Sequence, residues 1–286
     1  MATTPTTSAS APPPPRNDGS TMPQIWTGSS RPPGAEYVIP GWSEFCLAAR
    51  ERSYAPDPAA ADPHAWLLSM GVDRVPHSSA SDDMSAIGSP EELLALGSFW
   101  DHLHGNEQVV RRWHDADPQL YPIAVCHGAL MHSVYGTEGF QGFAFPIERR
   151  AEVRQLVGER AELLAYLTCA RDGRSYSKYV LANRDLLRGE TPAGSFRPRA
   201  NYPGVWPEAG PFALSPESDE FVLSAEQYTD MCAVQLSHLF AFKRLGLPSG
   251  ATLAGNEPAR LMAEHLGGVA LESFLTHPDY DRRPRL

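Results

Sequence analysis

The chain has 286 residues, is 42% hydrophobic and carries a formal net charge of −10, which supplies apolar material for one large core and excludes the basic character expected of nucleic-acid or anionic-membrane binders. No apolar run approaches the ~20 residues needed to cross a bilayer, and the first residues have no hydrophobic signal segment. Cys46, Cys126, Cys169 and Cys232 are dispersed without a C-x-x-C pair, so they read as reduced thiols of a cytoplasmic protein.

Residues 1–34 are rich in Pro, Ser and Thr and predict a disordered tail; residues 35–286 predict one all-α domain. Short helices are expected over 41–52 and 64–71, then a polar loop over 78–88. Ser89-Pro90-Glu91-Glu92 has the Ser cap, early Pro and reciprocal Glu of a helix start. A second start at Ser98 leads a helix to about His114, with Leu103, Val109, Val110 and Trp113 as its apolar positions. Gly105 within it costs ~1 kcal/mol relative to Ala, which close packing or a nearby ligand would explain.

Tyr121 to Ser133 is apolar on most faces, the mark of a buried helix. Over 148–170, Val153, Leu156, Val157, Ala161, Leu164 and Leu167 recur at three and four and predict one amphipathic helix. Residues 173–187 are ambiguous, and 188–216 read as a long loop. Ser224-Ala225-Glu226-Gln227 is a further capping box, opening a helix to about Leu245. A last helix is expected from about Pro258 to Thr276. The count is eight or so helices, with strands nearly absent.

Chemistry concentrates in the histidines. Five of the ten lie between His102 and His132. His102 and His132 each sit on a helix among apolar neighbours, and inward imidazoles from two helices are a common basis for a metal site. The plainer alternative is two core histidines, each satisfied by one hydrogen bond. Asp101 precedes His102 and can bind metal or orient the imidazole. The turn Tyr135-Gly136-Thr137-Glu138-Gly139 follows His132, and glycine there lets a ligand approach backbone; Tyr135 is a candidate catalytic residue. His77 lies upstream in Val75-Pro76-His77-Ser78. His238 shares a helix face with Gln235 and is a candidate late ligand. His127 lies ~140° around the helix from His132 and reads as structural; His114 and His277 sit at helix ends and read as ordinary solvated histidines; His104 points away from His102. Arg149, Arg150 and Arg154 are either a solvated face paired with Glu148 and Glu152 or an anion clamp. Glu162 has no cationic partner one turn away, so its default is solvent or an ion pair to another element.

At these residues the chain resembles an uncharacterised family marked by "HS … L.HL.GT … AGL.HS.YGT". The matching pieces are Val75–Ser78, Asp101–Leu103 with Gly105, and Leu130–Thr137; Arg150 and Val157–Leu163 resemble its "R … VG..AE.L". The resemblance covers about 65–245. That family in turn resembles the HD-domain superfamily, helical metal-dependent phosphohydrolases with some di-iron oxygenases. The resemblance implies His102 as the first histidine ligand and His132 as the histidine of the His-Asp pair. Ser133 stands at the aspartate position, and Gln235 or His238 where a late aspartate is expected. Fewer carboxylates favour one metal held mostly by imidazoles, such as Fe, Mn or Zn. The expectation is therefore an HD-like enzyme acting on a small molecule by hydrolysis or oxygen activation. Its metal ligands would be His77, His102, His132 and His238, with Asp101, Tyr135 and Arg150 as catalytic residues. The alternative is a metal-free helical protein that binds a small ligand or acts as a scaffold.

Overall fold

The computed structural model describes residues 62–76, 97–137, 143–198, 220–241 and 255–278, with positions 45, 48, 49, 94, 95 and 280. The expected tail over 1–34, the capping sequence at Ser89 and most of the helix over 41–52 lie outside them. The described residues form nine α-helices and no strand, with isolated bridges at Pro76–Ser98, Arg171–Pro198 and Phe196–Phe221. None of the helices is long and apolar enough to cross a membrane.

Helix α1 (Pro63–Ser69) is capped by Asp62 and followed by a 3-10 turn, Val72–Arg74. Helix α2 (Phe99–Ala116) opens with a capping box in which Ser98 and Asp101 satisfy each other's backbone N–H groups. Its buried stripe is Phe99, His102, Leu103, Asn106, Glu107, Val110 and Trp113, three- and four-residue spacing that aims one face at the core. Three members of that stripe are polar, and each must find a partner inside.

Helix α3 (Ile123–Met131) packs against α2, α5 (Glu159–Ala170) and α7 (Ala225–Ala241), which puts it at the centre of the bundle. Its contact with α5 is close. A Cβ on Gly128 would lie 2.8 Å from Leu164 Cδ1 and 2.9 Å from Leu164 Cβ, so only glycine lets these helices approach so far.

The single amphipathic helix expected over 148–170 is two helices. Gly158, with φ 85° and ψ 163°, ends α4 (Arg150–Val157) and starts α5. A side chain at that φ would be strained, and the change of direction lets α5 be buried at every position from Ala161 to Ala170. The apolar period continues across the break, so it masks the break. The last helix is likewise two, α8 (Glu257–Leu266) and α9 (Gly268–Leu275), parted at Gly267. The ambiguous 173–187 segment contains helix α6 (Gly173–Ala182). Helix α7 starts as expected, with Ser224 N donating to Gln227 Oε1 and Gln227 N to Ser224 Oγ. Arg160 ties α5 to α7 by a two-pronged pair with Asp230, 2.8 Å on each arm.

Candidate metal centre

His102 on α2, His132 capping the C-terminus of α3 and His238 on α7 come from the three helices that meet at the bundle centre. Each presents a ring nitrogen, and the three nitrogens lie within 4.8 Å of one another. Ring centroids are 4.6 Å apart for His102–His132 and for His132–His238, and 5.2 Å for His102–His238. His132 is fully buried, His102 nearly so, and His238 half-buried as a residue with its Nε2 atom buried.

The hydrogen bonds orient this group. His132 Nδ1 lies 2.7 Å from the Ala129 carbonyl. A carbonyl only accepts, so Nδ1 carries the proton and Nε2 keeps its lone pair. That Nε2 is 2.8 Å from His102 Nε2, which also lies 3.3 Å from Ser133 Oγ. Two nitrogens at ~2.1 Å from one metal are ~3 Å apart at near-right angles, so the pair needs little movement to share an ion. Burial holds the His132 imidazolium off, lowering its pKa to about 4, with Arg171 adding to the effect and the Ala129 bond opposing it. A neutral ring is the form that binds metal. Gln235, one turn before His238, accepts from Arg171 and donates to Thr168 Oγ1.

Of the other expected site residues, Asp101, Tyr135 and Arg150 are held by partners of the chain itself. His77 lies outside the described residues. Asp101 is exposed, and its carboxylate accepts from Ser98 N at 2.8 Å and Ser98 Oγ at 2.9 Å; it caps α2. Tyr135 and Arg150 come together on Glu162. Tyr135 donates its hydroxyl at 3.1 Å, and Arg150 grips both carboxylate oxygens at 2.5 and 2.8 Å while lying 3.6 Å from the Tyr166 ring centre. Glu162 is 1% exposed, so its partner is a cation from another helix, and the fork of Arg150 is filled by a carboxylate of the chain itself. Arg149 pairs with Glu152. His114 bonds the Tyr121 carbonyl at 2.6 Å and His277 stacks on Phe240, so both helix-end rings are engaged by the fold.

A second convergence, of His64, His104 and Glu107, was not anticipated. The available signal was Glu107 itself, four positions from Leu103 and three from Val110 within the buried stripe of α2.

The molecule is thus a helical bundle with a histidine triad at the junction of three helices. A domain of unknown function, DUF6817, is found at residues 85–173. No curated protein and no solved structure matches the chain.

Proposed function

We propose that the chain is a metal-dependent enzyme, HD-like in architecture, acting on a small molecule, with His102, His132 and His238 holding one divalent metal. The observation that carries this is the convergence of three imidazoles from three helices, with His132 held in the tautomer that turns its Nε2 lone pair toward His102. A structural histidine pair needs one partner each; a third ring at the same point is the composition of an open metal site with three protein ligands. When bound, such an ion supplies a Lewis acid that brings the pKa of water to about 7. Three neutral ligands leave its positive charge undiminished, which favours hydrolysis over oxygen activation and Zn or Fe over Mn. His132 and His102 would serve as ligands, the Ala129 carbonyl would fix the His132 ring, and Ser133 would place a hydroxyl beside them.

The test is elemental analysis of protein purified without a histidine tag, together with assays of metal-stripped and Zn-reconstituted protein on 4-nitrophenyl acetate and 4-nitrophenyl phosphate. His132→Ala and His238→Ala are each expected to lose one metal equivalent and the Zn-dependent turnover. Metal content unchanged in both variants, or turnover that persists in stripped protein, overturns the proposal.

A further inference from the structure

The polar side chains of α2 divide between two directions. At ~100° per residue, His104 and Glu107 lie ~60° apart on one face, and His102 lies ~160° from His104. The His104 face meets the N-terminus of α1, where His64 Nε2 is 2.5 Å from Glu107 Oε2. His64, His104 and Glu107 each offer a ligand atom within 4.8 Å of the others. We infer that these three residues form a second divalent-metal site, of two-histidine, one-carboxylate composition, separate from the histidine triad.

Three further features match a built site. Asp62 Oδ1 lies 3.1 Å from His64 Nδ1; a carboxylate accepts, so Asp62 holds a proton on Nδ1 and fixes the ring with Nε2 directed at Glu107, where Nε2–H donates and a metal ion would take the place of that proton. Glu107 has no exposed surface, and its other oxygen accepts from Arg111 at 2.5 Å, so the carboxylate is fixed in place. Trp100 stacks on the His104 ring at 4.9 Å and 9° and meets the His64 ring edge-on at 5.9 Å, restraining both imidazoles. His64 and His104 are half-buried, which leaves coordination positions open to water. Two imidazoles and one carboxylate select borderline divalent transition metals over Ca or Mg. The competing arrangement is a simple ion-pair chain, Asp62–His64–Glu107–Arg111. His104 is not a member of that chain, and this separates the two.

The experiment uses Co²⁺ alone as the probe, with metal-stripped full-length protein, equilibrium dialysis and tryptophan fluorescence. In a His238→Ala background, which disables the triad, one equivalent of Co²⁺ is expected to bind and to quench part of the emission through Trp100. Adding His104→Ala should abolish that equivalent and that quench. Asp62→Asn keeps a good helix cap and should weaken binding about tenfold or more. Co²⁺ binding and quenching that survive His104→Ala, or no binding at all in the His238→Ala background, overturn the inference. Failure of the triad proposal alone would show differently, as wild type and His238→Ala binding Co²⁺ equally while His104→Ala removes it.

Discussion

Acid should destabilise the metal-free protein through His132, and the size of the effect follows from its environment. The ring is fully buried and its pKa is lowered from 6.5 to about 4. In the unfolded chain it would titrate near the ordinary value, so between those two values the unfolded state binds the extra proton and the native state does not. The contribution of His132 is therefore complete above about pH 6.5 and lost as pH falls toward 4. Linkage gives a loss of about 2 kcal/mol between pH 7 and pH 5 for a shift of this size. Urea unfolding of EDTA-treated protein at pH 7, 6 and 5, followed by circular dichroism, measures it. His127 and His265 are also buried enough to have lowered pKa values, so the wild-type slope must be compared with that of His132→Gln, in which those two remain. The variant should lose about 2 kcal/mol less than wild type over the same interval. Equal slopes would refute the assignment of a buried, neutral imidazole to His132.

Gly128→Ala should lower stability by about 1–3 kcal/mol in the same unfolding assay, because the new methyl meets Leu164 Cβ, which moves only with its helix; a rise in stability would contradict the close α3–α5 approach. Gly105→Ala should raise stability by about 1 kcal/mol, since open space lies around that position, and a thermal melt that falls instead would mean that the backbone there meets something. Glu162→Gln should cost about 3–5 kcal/mol by leaving the Arg150 guanidinium buried without its counter-charge, whereas an Arg150→Met/Glu162→Leu pair should recover most of it; additive losses would exclude a coupled pair. His114→Ala and His277→Ala should leave metal content by elemental analysis unchanged, since both rings are engaged by other partners and neither belongs to the histidine triad.

The helical class and the helix starts at Ser98 and Ser224 were legible because capping uses local residues at fixed spacing. Central burial of α3 was legible too, from its lack of a polar face. The breaks at Gly158 and Gly267 were not, because the apolar period runs through them and a glycine within a helical pattern does not announce a positive φ. At the site, His102, His132 and His238 were each singled out, and the structure brings them together. Spacing could not say that Arg150 and Tyr135 would converge on Glu162, which depends on which helices become neighbours, whereas the turn of Asp101 back to Ser98 is the same local i, i+3 capping that marks the helix start. His64 carried no motif at all, and its place beside Glu107 comes from where α1 sits against α2.

The central position of α3 and the two faces of α2 have a consequence for how the chain can be divided. The family match ends at residue 173 and begins at 85. Inside it lie His102 and His132 of one cluster and His104 and Glu107 of the other. His238 arrives from the C-terminal side and His64 from the N-terminal side. Each cluster is therefore two-thirds internal to the matched segment and closed by a flank, one from either end. A fragment confined to 85–173 would keep a pair of donors at each place and complete neither. Added back as separate peptides, α1 and α7 would each restore a different cluster, so metal affinity would report the docking of each flank independently.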